Sequence, residues 1–184
     1  MSTIDAIIIS LINPPECQRD AIIAKAGAGA TLIEVRAWEE RHGYTLPDDY
    51  VRFLMNIKEC RLHNKLTFLP LREIKPLADV IYGNCPNAPV LPKSWIAVAI
   101  LGDSDYTVLD LATVNGQTVN ILDGFHEEAN FSLEIIAKSF TEFLERSIID
   151  ANVSTGGGAG HGYWSTKGPC YGEIRPWSVR SENP

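Results

Sequence analysis

Cys60 and His63, separated by two residues in a chain of 184, have the spacing at which a thiolate and an imidazole can share a zinc ion, and Cys85 or His161 is available to complete a set. Structural zinc sites of this kind need two such pairs. Only one is present, so the spacing is read as coincidence and no metal ligand is assigned. His126 beside Glu127 and Glu128 offers acid–base groups, but no nucleophile motif accompanies them. Asp48 and Asp49 are adjacent carboxylates. Neighbouring helical positions diverge by about 100 degrees, which defeats joint acid–base work, and two acids in the first turn of a helix are already explained by its dipole. "GGGAGHG" (156–162) has the glycines of a phosphate loop without the closing Lys-Ser/Thr or a preceding strand. No set of residues assembles a catalytic site, so the chain is read as a non-enzyme that uses no cofactor.

The charge distribution points elsewhere. The net charge is −7, which disfavours a direct nucleic-acid-coating role, because phosphate backbones attract basic surfaces. From 94 to 137 there is no Lys or Arg in 44 positions, whereas Asp103, Asp105, Asp110, Asp123, Glu127, Glu128 and Glu134 all occur. A solvated acidic face accounts for this; so does a surface shaped for a basic partner. The four cysteines are scattered with no CxxC pair, which suits free thiols in a reducing cytoplasm. The apolar run "AIIISLI" (6–12) is too short for a membrane span and lacks the flanks of a secretion signal.

Around these groups the pattern predicts a helix pair, an antiparallel sheet and a closing helix. Short helices are expected on either side of Pro14-Pro15, with "KAGAGA" (25–30) as a linker. Thr31 caps a helix with Leu32, Val35 and Trp38 on one face, Glu34, Arg36, Glu39, Glu40 and Arg41 facing away, and Gly43 at its end. In "GYTLPDDYVRFL" (43–54), Pro47 suits the first helical position, and Tyr50, Phe53, Leu54 and Ile57 form a core stripe. Strands are expected over 65–71, 95–101, 105–113 and 117–122, the last three forming a meander whose final turn is Asn115-Gly116; 131–137 reads as a last strand, with an extra helical turn as the alternative. Ser139-Phe140-Thr141-Glu142 fits a capping box opening a helix with Phe140, Phe143, Leu144 and Ile148 on one face. The fold class is α+β, with a sheet of about four to six strands carrying the N-terminal helix pair and the closing C-terminal helix. Residues 1–30 form an N-terminal extension, 31–150 the domain, and 151–184 an irregular Gly- and aromatic-rich tail.

Four segments, in order, resemble the SUKH superfamily, the Smi/Knr group: "IEVRAWEERHGYTLPDDYVRFLMNI", "FLPLREI", "IAVAILGDSDYTVLDL" and "IAKSFTEFLERSI". The resemblance spans about 120 residues, Thr31 to Asp150. Its motif positions here are Leu46, Pro47, Tyr50, Phe53, Leu54, Trp95, Gly102, Asp110, Phe140 and Phe143, with Asp103 also matched. Where relatives often carry glycines after the second helix, this chain has Lys58-Glu59-Cys60-Arg61.

The resemblance implies a non-catalytic protein-binding domain. Bacterial members of that family are largely immunity proteins that neutralise a cognate toxin, commonly a nuclease or deaminase, and fungal members act through partner proteins in cell-wall regulation. The expected partner is therefore a cognate toxin, bound in the cytoplasm by a monomer or weak homodimer, with no nucleic acid or membrane contacted directly. Asp103, Asp105, Asp123, Glu127 and Glu128 are the expected partner-binding residues, because clustered carboxylates can stand in for phosphates in a basic cleft. The alternative is a regulatory or scaffolding interaction domain with no toxin partner.

Overall fold

The computed structural model describes residues 3–20, 22–62, 66–83, 85–102, 105–124, 133, 135–151, 167–168 and 172–173. Helix α1 (Thr3–Ile12) buries Ile4, Ile7, Ile8 and Leu11, which recur at helical spacing. The helix expected beyond the proline pair does not form. Glu16–Gln18 make one 3-10 turn and Ile22–Ala26 make strand β1, because β-branched Ile22 and Ile23 suit a strand and Ile22 is buried opposite Leu62.

Helix α2 (Leu32–His42) starts at a capping box, with Thr31 N donating to the Glu34 carboxylate at 2.7 Å and Glu34 N to Thr31 Oγ1 at 3.2 Å. Gly43 ends it in the left-handed conformation. Two side chains differ from expectation. Leu32 lies at the margin of the buried stripe and is 48% exposed. Glu39 points inward, because the Leu46 N–H, buried by the chain reversal, needs an acceptor and finds Glu39 Oε1 at 2.8 Å.

Helix α3 (Asp48–Asn56) has extended Pro47 as its N-cap, so it begins one residue later than expected. It passes without a loop into strand β2 (Ile57–Leu62), which contains Lys58-Glu59-Cys60-Arg61. The usual C-terminal glycine is replaced by backbone from the segment read as a linker. Gly27 N donates to Asn56 O at 3.1 Å and Ala30 N to Leu54 O at 2.9 Å. Between them, a Cβ on Gly29 would collide with Ile57 O. The glycines of "KAGAGA" therefore allow close packing.

Strand β3 (Leu66–Phe68) precedes β4 (Lys75–Pro76) and helix α4 (Leu77–Ile81), both unanticipated. The meander is present as β5 (Trp95–Leu101), β6 (Asp105–Asn115) and β7 (Thr118–Gly124), followed by β8 (Ile135–Ser139) and closing helix α5 (Phe140–Ala151). The antiparallel sheet has eight strands in the order β1-β2-β3-β5-β6-β7-β8, with β4 also on β5. The class is α+β as expected; β1, β2 and β4 carry the strand count beyond six. In the tail, Lys167–Gly168 and Gly172–Glu173 pair as a separate two-stranded ladder rather than being irregular throughout.

One core joins α1, α3 and α5 to the sheet, with Tyr50, Phe53, Phe68, Phe140 and Phe143 in mutual ring contact. A smaller cluster, Leu77, Leu91, Ala97, Val108 and Leu122, gathers around α4. Burial pushes the Tyr50 phenol above its ordinary range, and its O–H has no hydrogen-bond partner among the described residues. The contribution of Tyr50 is thus its ring.

The paired acids divide. Asp48 is exposed, whereas Asp49 is 1% exposed. Asp49 Oδ1 accepts Tyr50 N at 2.9 Å, and Oδ2 accepts both Thr141 N and Thr141 Oγ1 at 2.8 Å. Ser139 Oγ accepts Glu142 N at 3.0 Å, the hydroxyl half of the expected box, and the Glu142 carboxylate accepts from Lys138 N. Removing a buried acceptor strands its donors. Asp49→Ala should therefore lower the unfolding free energy in urea by about 2–4 kcal/mol, with Asp48→Ala within about 0.5 kcal/mol of wild type. Equal losses from the two would contradict this division.

Candidate functional site

At one end of the sheet, β5 stops at Leu101, β6 starts at Asp105 and β7 stops at Gly124. The register pairs Leu101 with Asp105, Tyr106 with Gly124 and Thr107 with Asp123. Residues directly opposite, and those two apart on a strand, share a face. Asp105, Thr107 and Asp123 therefore lie on one face. The two aspartates are diagonal neighbours, a relation that places residues roughly 7–8 Å apart. Thr107 is buried and both aspartates are half-buried.

Two glycines shape this end. Gly102 has φ +58° where the chain leaves β5. At Gly124 a Cβ would meet Tyr106 O at 2.5 Å, so β6 and β7 close tightly beside Asp123. Asp103, Glu127 and Glu128 lie outside the described residues. Of the five expected partner-binding residues, the structure thus brings Asp105 and Asp123 together on one face.

Asp110 belongs to a different arrangement. Its Oδ1 accepts Ser94 Oγ at 2.9 Å and Ala112 N at 3.2 Å, while Leu111 N donates to Ser94 O at 2.9 Å. It ties the approach to β5 onto β6, opposite half-buried Trp95. The other motif residues also serve the fold: Leu46, Pro47, Tyr50, Phe53, Leu54, Phe140 and Phe143 are all buried.

The thiol–imidazole spacing does not make a site. Cys60 is 1% exposed on β2 and its burial pushes the thiol up to about 12. Cys85 is exposed, and His63, His126, His161 and the 156–162 glycines lie outside the described residues. Among the described residues there is no group of three or more His, Cys, Asp or Glu arranged to hold a metal ion. No described helix is long and apolar enough to cross a membrane.

A family model described as SMI1 / KNR4 family (SUKH-1) matches residues 29–146. No curated protein matches the chain. The matched span runs from Gly29, packed against the end of α3, through the meander to Arg146 on α5.

Native alkylation at mildly alkaline pH should modify Cys85 readily and leave Cys60 unmodified until urea unfolds the chain, as mapped by mass spectrometry. The folded Cys60 thiol holds its proton to higher pH than the unfolded one. Its stability contribution is therefore complete below pH 9.0 and lost as pH rises towards about 12. Rapid native labelling of Cys60 would contradict its place in the core.

Proposed function

We propose that this chain, which belongs to the SMI1 / KNR4 family (SUKH-1), is a non-catalytic immunity protein that binds a cognate toxin of nuclease or deaminase type in the bacterial cytoplasm. The reading rests on one observation. Asp105 and Asp123, from different strands, share a face at one end of the sheet, within 44 positions that hold seven acids and no Lys or Arg. A nuclease presents a basic cleft to phosphate. Carboxylates on a rigid sheet can occupy such a cleft and steer association, with a strong dependence on ionic strength. Asp103, Glu127 and Glu128 are proposed as further members of the same surface. The buried motif residues support a binding role by supplying the scaffold, since surfaces carried on rigid elements lose little entropy on association.

The alternative, an interaction domain with no toxin partner, draws on α2. There Leu32 and Ile33 are 48% and 81% exposed in the first turn, an apolar pair open to another protein. Genome context and co-expression separate the two readings. Protection against a toxin encoded beside this chain supports immunity, and capture of an unrelated cellular protein through Leu32 and Ile33 supports the alternative.

Reversing Asp105 and Asp123 together to Lys should weaken toxin binding by about tenfold or more and flatten its salt dependence. Unchanged affinity with unchanged salt dependence in a folded variant would refute the acidic surface.

A further inference from the structure

Among the described residues the sheet ends at β8, and a sheet edge offers its outward N–H and C=O groups to any extended chain. Ile135, Ala137 and Ser139 are the β8 residues matched to β7. The register shifts between these pairs, and α5 reaches back to backbone groups of the two residues in between, Ile136 and Lys138. Arg146 Nη1 donates to Ile136 O at 3.1 Å, and Lys138 N donates to Glu142 Oε2 at 2.8 Å. Arg146 Nη2 and Glu142 Oε1 are in turn ion-paired to each other, one helical turn apart. Their side chains are only 17% and 25% exposed, so solvent and salt screen this pair less than a surface pair.

The two groups taken are the ones a second copy would use. If two β8 strands met antiparallel about a two-fold axis at Ala137, Ile136 of each would stand opposite Lys138 of the other. Each Lys138 N–H would then donate to the facing Ile136 carbonyl. Arg146 stands in for that incoming N–H, and Glu142 for that incoming C=O. Ile135, 43% exposed on the same strand, is the apolar residue such pairing would cover.

We propose that Glu142 and Arg146 form an edge plug, occupying the outward backbone groups of β8 and so preventing a second copy of this chain from extending the sheet. The ion pair fixes both side chains, and the charge on each strengthens its bond to the backbone. This use of α5 is separate from its apolar side, where Phe140, Phe143 and Leu144 fill the core.

The test is the mass of the full chain with Glu142→Ala and Arg146→Ala, by sedimentation over a range of concentration, with hydrogen exchange on the same samples. The wild type should be monomeric at concentrations where the folded double variant doubles its mass and protects the Ile136 amide. A folded variant that stays monomeric, or a dimer whose new protection lies away from β8, overturns the proposal. Should the variant fail to fold, the wild-type Lys138 amide decides. Slow exchange, as for an internally bonded amide, supports the plug, and exchange at the rate of an exposed amide overturns it.

Discussion

One carboxylate holds the helical layer together. Asp49 sits in the first turn of α3 and receives the Thr141 N–H and hydroxyl from the first turn of α5, 92 residues later in the chain. A helix N-terminus leaves backbone N–H groups without intrahelical partners and carries a partial positive charge. Two such ends meet here, and a single buried acid answers both. The arrangement sets the distance and angle between α3 and α5. The contacts of Phe140 with Tyr50 and Phe53 depend on that spacing, and α5 then lies across β7 and β8.

From that anchor the division of labour follows. Most of the motif residues that mark the family are spent on the interior: Leu46, Pro47 and Tyr50 set up α3, and Asp110, half-buried, braces the start of the meander. Asp105 and Asp123 are placed on one face by the β6–β7 register. The same helix that Asp49 positions also bonds backbone groups of β8 through Glu142 and Arg146.

Much of the fold was legible in the sequence, because its signals are local. The capping box at Thr31, the Asn115-Gly116 turn and the Ser139 hydroxyl cap each depend on residues within four positions of one another. What was not legible depends on distant partners. Nothing near Glu39 announces that the Leu46 N–H will need it, and Asp48 and Asp49 look alike until Thr141 arrives. β1 was missed because five residues at an edge become a strand only against β2, and the glycines before α2 read as slack when they serve close approach. For the site, the acidic run was visible as composition. The facing of Asp105 and Asp123 needed the β6–β7 register, and the shift between Asp110 and Asn115 keeps that register from following from the hairpin turn.

The central claim is that Asp49 and Thr141 act as one unit joining the two helices. A double-mutant cycle on Asp49→Ala and Thr141→Val, read from urea unfolding, tests it most directly. The account predicts a coupling free energy of about 1–2 kcal/mol, because once the carboxylate is gone the hydroxyl has lost its acceptor. Additive effects, with coupling below about 0.3 kcal/mol, would contradict it.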